Sequence, residues 1–200
     1  MDSTALLLVD VQYDFLDGGA LQVPGSLEII EPILSISADF QHLIASQDWH
    51  PAGHASFASS HPGQEPYSRI EWKGHHETLW PDHCIQHSKG AELHTSICQL
   101  PFKAIIQKGT HIDIDSYSAF FDNHNRAETS LHQHLQAHKI STLYISGLAT
   151  DYCIKHTVLD AILLGYKVVL LTNTIKAVNL NPKDGEEAIS QMQLAGATIL

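Results

Sequence analysis

One segment constrains the fold more than any other. Thr142-Leu143-Tyr144-Ile145-Ser146 is a short, β-leaning apolar run, and it passes through Gly147-Leu148-Ala149-Thr150-Asp151-Tyr152-Cys153 into a helical pattern, Ile154, Val158, Leu159, Ile162 and Leu163. A strand that feeds straight into a helix is the start of a βαβ unit, and such units build parallel sheets. Cys153 stands at the junction, where the first helical N–H groups are unpaired and the helix dipole is positive. That placement lowers a thiol pKa and favours the nucleophilic thiolate. The competing reading is a buried cysteine that acts as a small hydrophobe.

The same alternation runs through the chain. Ala5-Leu6-Leu7-Leu8-Val9 ends on Asp10 and reads as a strand buried on both faces. Turns at Gly18-Gly19 and Pro24-Gly25 precede a helix expected from Ser26 as N-cap towards Gln41, with Pro32 starting or kinking it. A second strand, His42 to Ser46, leads into Gln47-Asp48-Trp49-His50. Residues 51–100 are rich in Pro, Gly, Ser and His with weak periodicity, and a long irregular region in a compact domain is often functional. Lys103 to Gln107 is the third strand, ending in Lys108-Gly109. Residues 110–126 read as loop and 128–139 as helix. The opening segment supplies the fourth strand and a helix reaching Leu164. Lys167 to Leu171 is the fifth strand, Lys183 to Leu194 a helix, and Thr198-Ile199-Leu200 a last short strand. The expected fold is α/β: a three-layer α/β/α sandwich with a mostly parallel central sheet, in one domain over residues 1–200. In such sheets ligands bind beyond the carboxyl ends of the strands. Asp10, Asp48-Trp49-His50, Lys108 and Cys153 all fall at such ends and should share one crevice.

Those residues suit covalent hydrolysis. A thiol needs a base for its proton and a positive charge to hold the thiolate. Asp10 can be that base, and then the acid for a leaving amine, while Lys108 holds the anions. Taken singly, Asp10 could be a turn residue and Lys108 a solvated strand end. Asp48 and His50, two apart in extended chain, point to one side and suit a divalent metal. A third ligand must come from the irregular region, where His83 in Trp80-Pro81-Asp82-His83-Cys84 is the first choice and His54 the second. His132, His134 and His138 fall on a predicted helix, and although the last two are spaced i,i+4 a solvated face is the plainer reading. Cys84 reads as a packed thiol.

Bulk properties narrow the partners. A formal net charge of −11 opposes nucleic acid and anionic membrane surfaces and leaves a small-molecule substrate. No apolar run approaches a membrane span, and the N-terminus has neither a basic region nor a long enough apolar stretch for a signal peptide. Three irregularly spaced cysteines fit a reducing, cytoplasmic setting rather than a disulfide framework. A homo-oligomer is compatible with all of this.

With these residues assembled, nearly the whole chain resembles the metal-dependent nicotinamidase branch of the isochorismatase-like cysteine hydrolases. The resemblance rests on Asp10-Val11-Gln12-Tyr13-Asp14-Phe15, Asp48-Trp49-His50-Pro51, Leu79-Trp80-Pro81-Asp82-His83-Cys84, Gln107-Lys108-Gly109, Asp115-Ser116-Tyr117-Ser118-Ala119-Phe120 and Gly147 to Cys153. It implies hydrolysis of nicotinamide to nicotinate and ammonia, in NAD salvage, through a cysteine thioester. It assigns catalysis to Asp10, Lys108 and Cys153, and an oxyanion hole to the N–H groups of Ala149 and Cys153 beside a cis Leu148–Ala149 peptide. It implies one divalent metal, zinc with iron or manganese as alternatives, on Asp48, His50 and His83. His54 departs in spacing from the fourth ligand of some members. Phe15, Trp80, Gln12 and Leu148 are implied on the substrate side. Members often accept pyrazinamide as well, and the unusual 51–82 loop bears on that breadth. The alternatives are a related hydrolase of another small carboxamide or carbamoyl compound, and a non-catalytic binding protein of the same fold. Isochorismate cleavage needs neither the cysteine nor the metal ligands and is disfavoured.

Overall fold

The first apolar run forms the central strand of the molecule. β1 spans Ser3–Val9 and is fully buried from Ala5 onward. The computed structural model describes residues 3–200, so Met1 and Asp2 of the expected domain lie outside the described residues. In chain order there follow α1 (Ile30–Ser37), β2 (Leu43–Asp48), β3 (Arg69–Trp72), β4 (His75–Thr78), α2 (Thr95–Cys98) and β5 (Ala104–Lys108). Then come α3 (Leu131–Ala137), β6 (Ile140–Leu148), α4 (Lys155–Leu163), β7 (Lys167–Lys176), α5 (Asp184–Ala195) and β8 (Thr198–Ile199).

Six strands form one sheet in the order β5-β2-β1-β6-β7-β8, and every neighbouring pair is parallel. The chain builds outward from β1 first on one side and then on the other, so strand order reverses between β1 and β6. A crevice opens at such a reversal. Side chains of β1 alternate between two cores. Ala5, Leu7 and Val9 pack with Leu135 of α3, Val158 of α4 and Met192 of α5. Leu6 and Leu8 pack with Ile30 and Ile33 of α1 and Ile97 of α2. That alternation produces the three layers.

The differences from expectation have local causes. Ser26 is not an N-cap: Gly25 is left-handed, a 3-10 turn covers Ser26–Ile29, and α1 starts only at Ile30. Pro32 lies in the first turn of α1, where its missing N–H costs no helical bond. The helix stops at Ser37, four residues short of Gln41. β3 and β4 form an antiparallel hairpin in the supposedly irregular region. β6 and β7 run past their apolar segments to Leu148 and Lys176. At Gly147, φ is 115° and a Cβ would lie 2.0 Å from the Val9 carbonyl oxygen, so only glycine lets β6 lie against β1 at the crevice.

Candidate active site

Four strand ends deliver four polar side chains to one point. Asp10 follows β1, Asp48 closes β2, Lys108 closes β5 and Cys153 follows β6. Asp48 and Lys108 are register partners, which sets their side chains next to each other. Lys108 Nζ donates to Asp48 Oδ1 at 2.7 Å, to the Ser116 carbonyl at 2.7 Å and to Cys153 Sγ at 3.5 Å. It also lies 2.9 Å from Asp10 Oδ2, an oxygen that accepts no aligned hydrogen bond. Asp10 Oδ1 is occupied by the Ser46 hydroxyl, 2.6 Å away. One oxygen of Asp10, one of Asp48 and the sulfur lie within 4.8 Å of one another.

Burial governs the charges here. Burial alone would discharge Lys108, but Asp10 and Asp48 overcome it and hold the ammonium charged well beyond its ordinary range. Asp48 is also pushed up by burial, yet Lys108 and His50 prevail and hold it well below the usual carboxylate range. For Asp10 burial wins over Lys108, and its proton affinity is raised. Cys153 corrects the expectation of an acidified thiol. Burial pushes its pKa well up, Lys108 opposes, and Asp10 and Asp48 push it further. Cys153 sits in a π-helical turn, Thr150–Ile154, in front of α4, where burial, with the two carboxylates adding to it, outweighs any helix-start effect. The sulfur therefore rests as a thiol beside a base, with a cation at hand. The Leu148–Ala149 peptide is cis.

A second group adjoins the first through Asp48. His50 Nδ1 donates to the Gly109 carbonyl at 2.9 Å and His83 Nδ1 to the Pro81 carbonyl at 2.7 Å. Each ring thereby keeps its lone pair on Nε2, the tautomer that a carbonyl on Nδ1 imposes on metal-ligating histidines. The two Nε2 atoms lie 3.3 Å and 3.7 Å from Asp48 Oδ2. His50 Nε2 is buried and has no hydrogen-bond partner. A buried lone pair left without a donor is costly, and these three donors suit a divalent ion. His83 is carried there by the loop after β4: His50 N–H donates to the Cys84 carbonyl and Gln86 N–H to the His50 carbonyl. Gly109 must approach closely, since at φ 64° a Cβ would meet His50 Cε1 at 2.5 Å.

His54 stacks near His50, but both its nitrogens are engaged. Nδ1 accepts from the Ser56 N–H at 3.2 Å and Nε2 donates to the His111 carbonyl at 2.9 Å. Burial pushes its pKa down to about 4. Asp115, carried in a quoted motif without a role, has Oδ1 3.9 Å from His50 Nε2.

Two substrate-side expectations need correction. Gln12 does not face a pocket: its Oε1 accepts from Asp48 N–H, and its Nε2 donates to the Asp48 and Ala91 carbonyls. It is a brace that fixes the end of β2. Leu148 is fully buried in the core and does not line the cavity, whereas its neighbour Ala149 does. Phe15 and Trp80 line a narrow pocket together with Tyr117, Tyr152 and Cys153. Trp80 Nε1 donates to the Tyr117 hydroxyl at 3.1 Å, and Tyr152 meets the Trp80 ring edge-on at 4.8 Å. Sequence reasoning missed Ser46, Tyr117 and Tyr152 as site components. Tyr117 and Tyr152 lie inside quoted motifs, and that was the available signal. Cys84 is buried as expected, its N–H bonded to Asp14.

Comparison with known proteins agrees with this arrangement. The isochorismatase domain model matches residues 4–200. The nicotinamidase of Escherichia coli is 48% identical, covering 100% of this chain and 95% of its own. A solved nicotinamidase/pyrazinamidase of Acinetobacter baumanii superposes with a TM-score of 0.95 at 39% identity, covering 100% of this chain and 96% of that one. A pyrazinamidase of Pyrococcus horikoshii solved with zinc has a TM-score of 0.79 at 35% identity, covering 99% and 98%.

Proposed function

This chain belongs to the isochorismatase family, and on that premise we propose that it is a nicotinamidase, hydrolysing nicotinamide to nicotinate and ammonia in NAD salvage. The observation that carries the proposal is the buried contact of Lys108 with Asp10 and Cys153, opening on a pocket lined by Phe15, Trp80, Tyr117 and Tyr152.

Asp10 Oδ2 takes the thiol proton as Cys153 Sγ attacks the carboxamide carbon. Lys108, already charged, offsets the anion left on sulfur. The N–H groups of Ala149 and Cys153 receive the developing oxyanion. As the tetrahedral intermediate collapses, the C–N bond breaks, Asp10 passes its proton to nitrogen, and ammonia leaves a thioester on Cys153. Asp10 then takes a proton from water, whose oxygen attacks the thioester carbon. The C–S bond breaks, the proton on Asp10 returns to sulfur, and the new carboxylic acid gives its own proton to solvent or ammonia and leaves as nicotinate. The raised proton affinity of Asp10 suits a group that must accept and donate in one cycle.

Asp48, His50 and His83 would hold a divalent ion, with His54 outside the set because both its nitrogens are bonded. A bound ion supplies a Lewis acid for the ring nitrogen of the substrate and so fixes its orientation. Zinc is the proposed ion, supported by the donor set and by the zinc-bound pyrazinamidase relative; iron and manganese are the alternatives. Phe15, Trp80, Tyr117 and Tyr152 enclose the ring. Pyrazinamide, with the same ring size and carboxamide, is a second substrate. Among the described residues no helix is long and apolar enough to cross a membrane, and a working thiol suits a cytoplasmic setting.

The test is ammonia release across a panel of amides, with metal-depleted and metal-restored enzyme and a Cys153→Ala control. Nicotinamide should be turned over far faster than aliphatic amides, restoration should return activity, and the control should be inert. Equal turnover of unrelated amides, or a normal rate without Cys153, overturns the proposal.

A further inference from the structure

Three histidines that the active site does not use meet at the opposite edge of the sheet. His42 immediately precedes β2, while His134 lies on α3 and His138 is the residue that caps its C-terminus. β2 is six residues long, so this edge is about 20 Å from the carboxyl-end crevice. On the sequence, His134 and His138 form only an i,i+4 pair on a helix face; the fold adds His42 to them. One nitrogen from each ring lies within 4.8 Å of the others.

The tautomers are set for ligation. His138 Nδ1 donates to the His134 carbonyl at 2.9 Å, which leaves its lone pair on Nε2. His42 Nε2 and His134 Nε2 face each other at 2.9 Å. In one imidazole pair only a single proton can lie between two such nitrogens, so a lone pair is always directed into the gap. With metal–nitrogen bonds of about 2.0–2.1 Å, adjacent corners of a square-planar or octahedral ion are about 2.9 Å apart, and those of a tetrahedral ion about 3.3–3.4 Å.

We propose that His42, His134 and His138 form a second metal site, separate from the crevice, that takes a copper(II)- or nickel(II)-class ion through two or three imidazoles. The all-nitrogen donor set excludes magnesium and calcium, which require oxygen. An ion held there ties α3 to the start of β2 and adds stability without touching catalysis.

Equilibrium dialysis of the full chain against nickel(II), with elemental analysis, tests the site. The His134→Asn/His138→Asn double variant should bind one equivalent fewer than the unaltered chain, and His138→Asn alone, on an exposed residue, should weaken that equivalent at least about tenfold. His132→Asn serves as control, because His132 Nδ1 is turned to the Tyr166 hydroxyl, and it should bind like the unaltered chain. With the crevice site already loaded with zinc in both proteins, nickel at about a hundred times its Kd should raise the melting temperature by about 5–10 °C, and not in the double variant. One equivalent of copper(II) added in place of nickel to the zinc-loaded chain should show imidazole nitrogen hyperfine coupling by electron paramagnetic resonance, and that signal should be lost in the double variant. Unchanged stoichiometry and affinity in the double variant and in His138→Asn, or equal weakening by His132→Asn, would mean adventitious surface binding and overturn the proposal.

Discussion

The hydroxyl of Ser46 should set the pH range over which Asp10 works. It donates to Asp10 Oδ1 at 2.6 Å, and both groups are fully buried. No other side chain donates to that oxygen among the described hydrogen bonds, so Ser46→Ala leaves it bare. A hydrogen bond to a charged acceptor contributes about 1.5–3 kcal/mol, and each 1.36 kcal/mol is about tenfold in proton affinity. The bond favours the ionised carboxylate, so its loss raises the proton affinity of Asp10 by about 10–150-fold. Asp10 must be ionised to take the thiol proton. The acidic limb of the kcat/KM profile should therefore move to higher pH. At a fixed pH on that limb kcat/KM should fall by about 10–150-fold, with a much smaller loss on the plateau. Ser46→Thr keeps a hydroxyl and should return the limb towards its original position. The assay is ammonia release against pH for the three proteins, with far-UV circular dichroism as the folding check. A uniform drop at every pH, or an unmoved limb, would refute the assignment of Asp10 as the base.

His83→Asn should retain the fold by far-UV circular dichroism, lose bound metal by elemental analysis and raise KM for nicotinamide at least about tenfold. Gly109→Ala forces a side chain into a left-handed position against the His50 ring, so it should lower stability by about 1–2 kcal/mol and metal affinity by about 10–100-fold. Urea denaturation and a chelator competition measure the two effects. His156 is half-buried, and burial, with Lys155 and Lys108 adding to it, lowers its pKa to about 4. Because the unfolded chain binds that proton near pH 6.5 and the folded one does not, His156 contributes stability that is fully present above pH 6.5 and is lost towards pH 4. Between pH 7.5 and pH 5 the loss should be about 1–2 kcal/mol by urea denaturation, and His156→Gln should remove that part of the slope.

The residues proposed to form the site were readable because strand ends announce themselves. An apolar run that stops on Asp10, Asp48 or Lys108 marks a carboxyl end, and parallel packing then brings those ends together whatever the intervening loops do. The supports were hidden for a different reason. Gln12 and Ser46 act through hydrogen bonds to groups 36 residues away, and neither a glutamine nor a serine advertises its partner in local sequence. His42 sat unremarked at a strand start, because only the packing of α3 against that edge gives it company. The β3–β4 hairpin escaped because its strands are mostly half-exposed and show no clean alternation; the Lys73-Gly74 turn, with φ 50° and 85°, was its one signal. The raised thiol pKa was not legible because a helix start in the sequence does not show how deeply the fold buries Cys153, and burial, with Asp10 and Asp48 adding to it, is what raises it.

Asp48 joins the two halves of the site, and the way it does so makes the whole site depend on sheet register. Its Oδ1 lies on the Lys108 ammonium and its Oδ2 faces the His50 and His83 imidazoles. It reaches both only because Asp48 and Lys108 are paired across β2 and β5, a pairing that continues through Ile44↔Ala104, Ala45↔Ile105 and Ser46↔Ile106. Slipping β5 by one residue would turn every one of its side chains to the other face. Lys108 would leave Asp10, Asp48 and Cys153 together, placing two buried carboxylates and a thiol in one space without a cation. Loss of one member of a buried ion pair costs about 3–5 kcal/mol. The apolar residues of β2 and β5 and the charges at their ends therefore select the same register, and the geometry that holds the fold is also the geometry that holds the nucleophile.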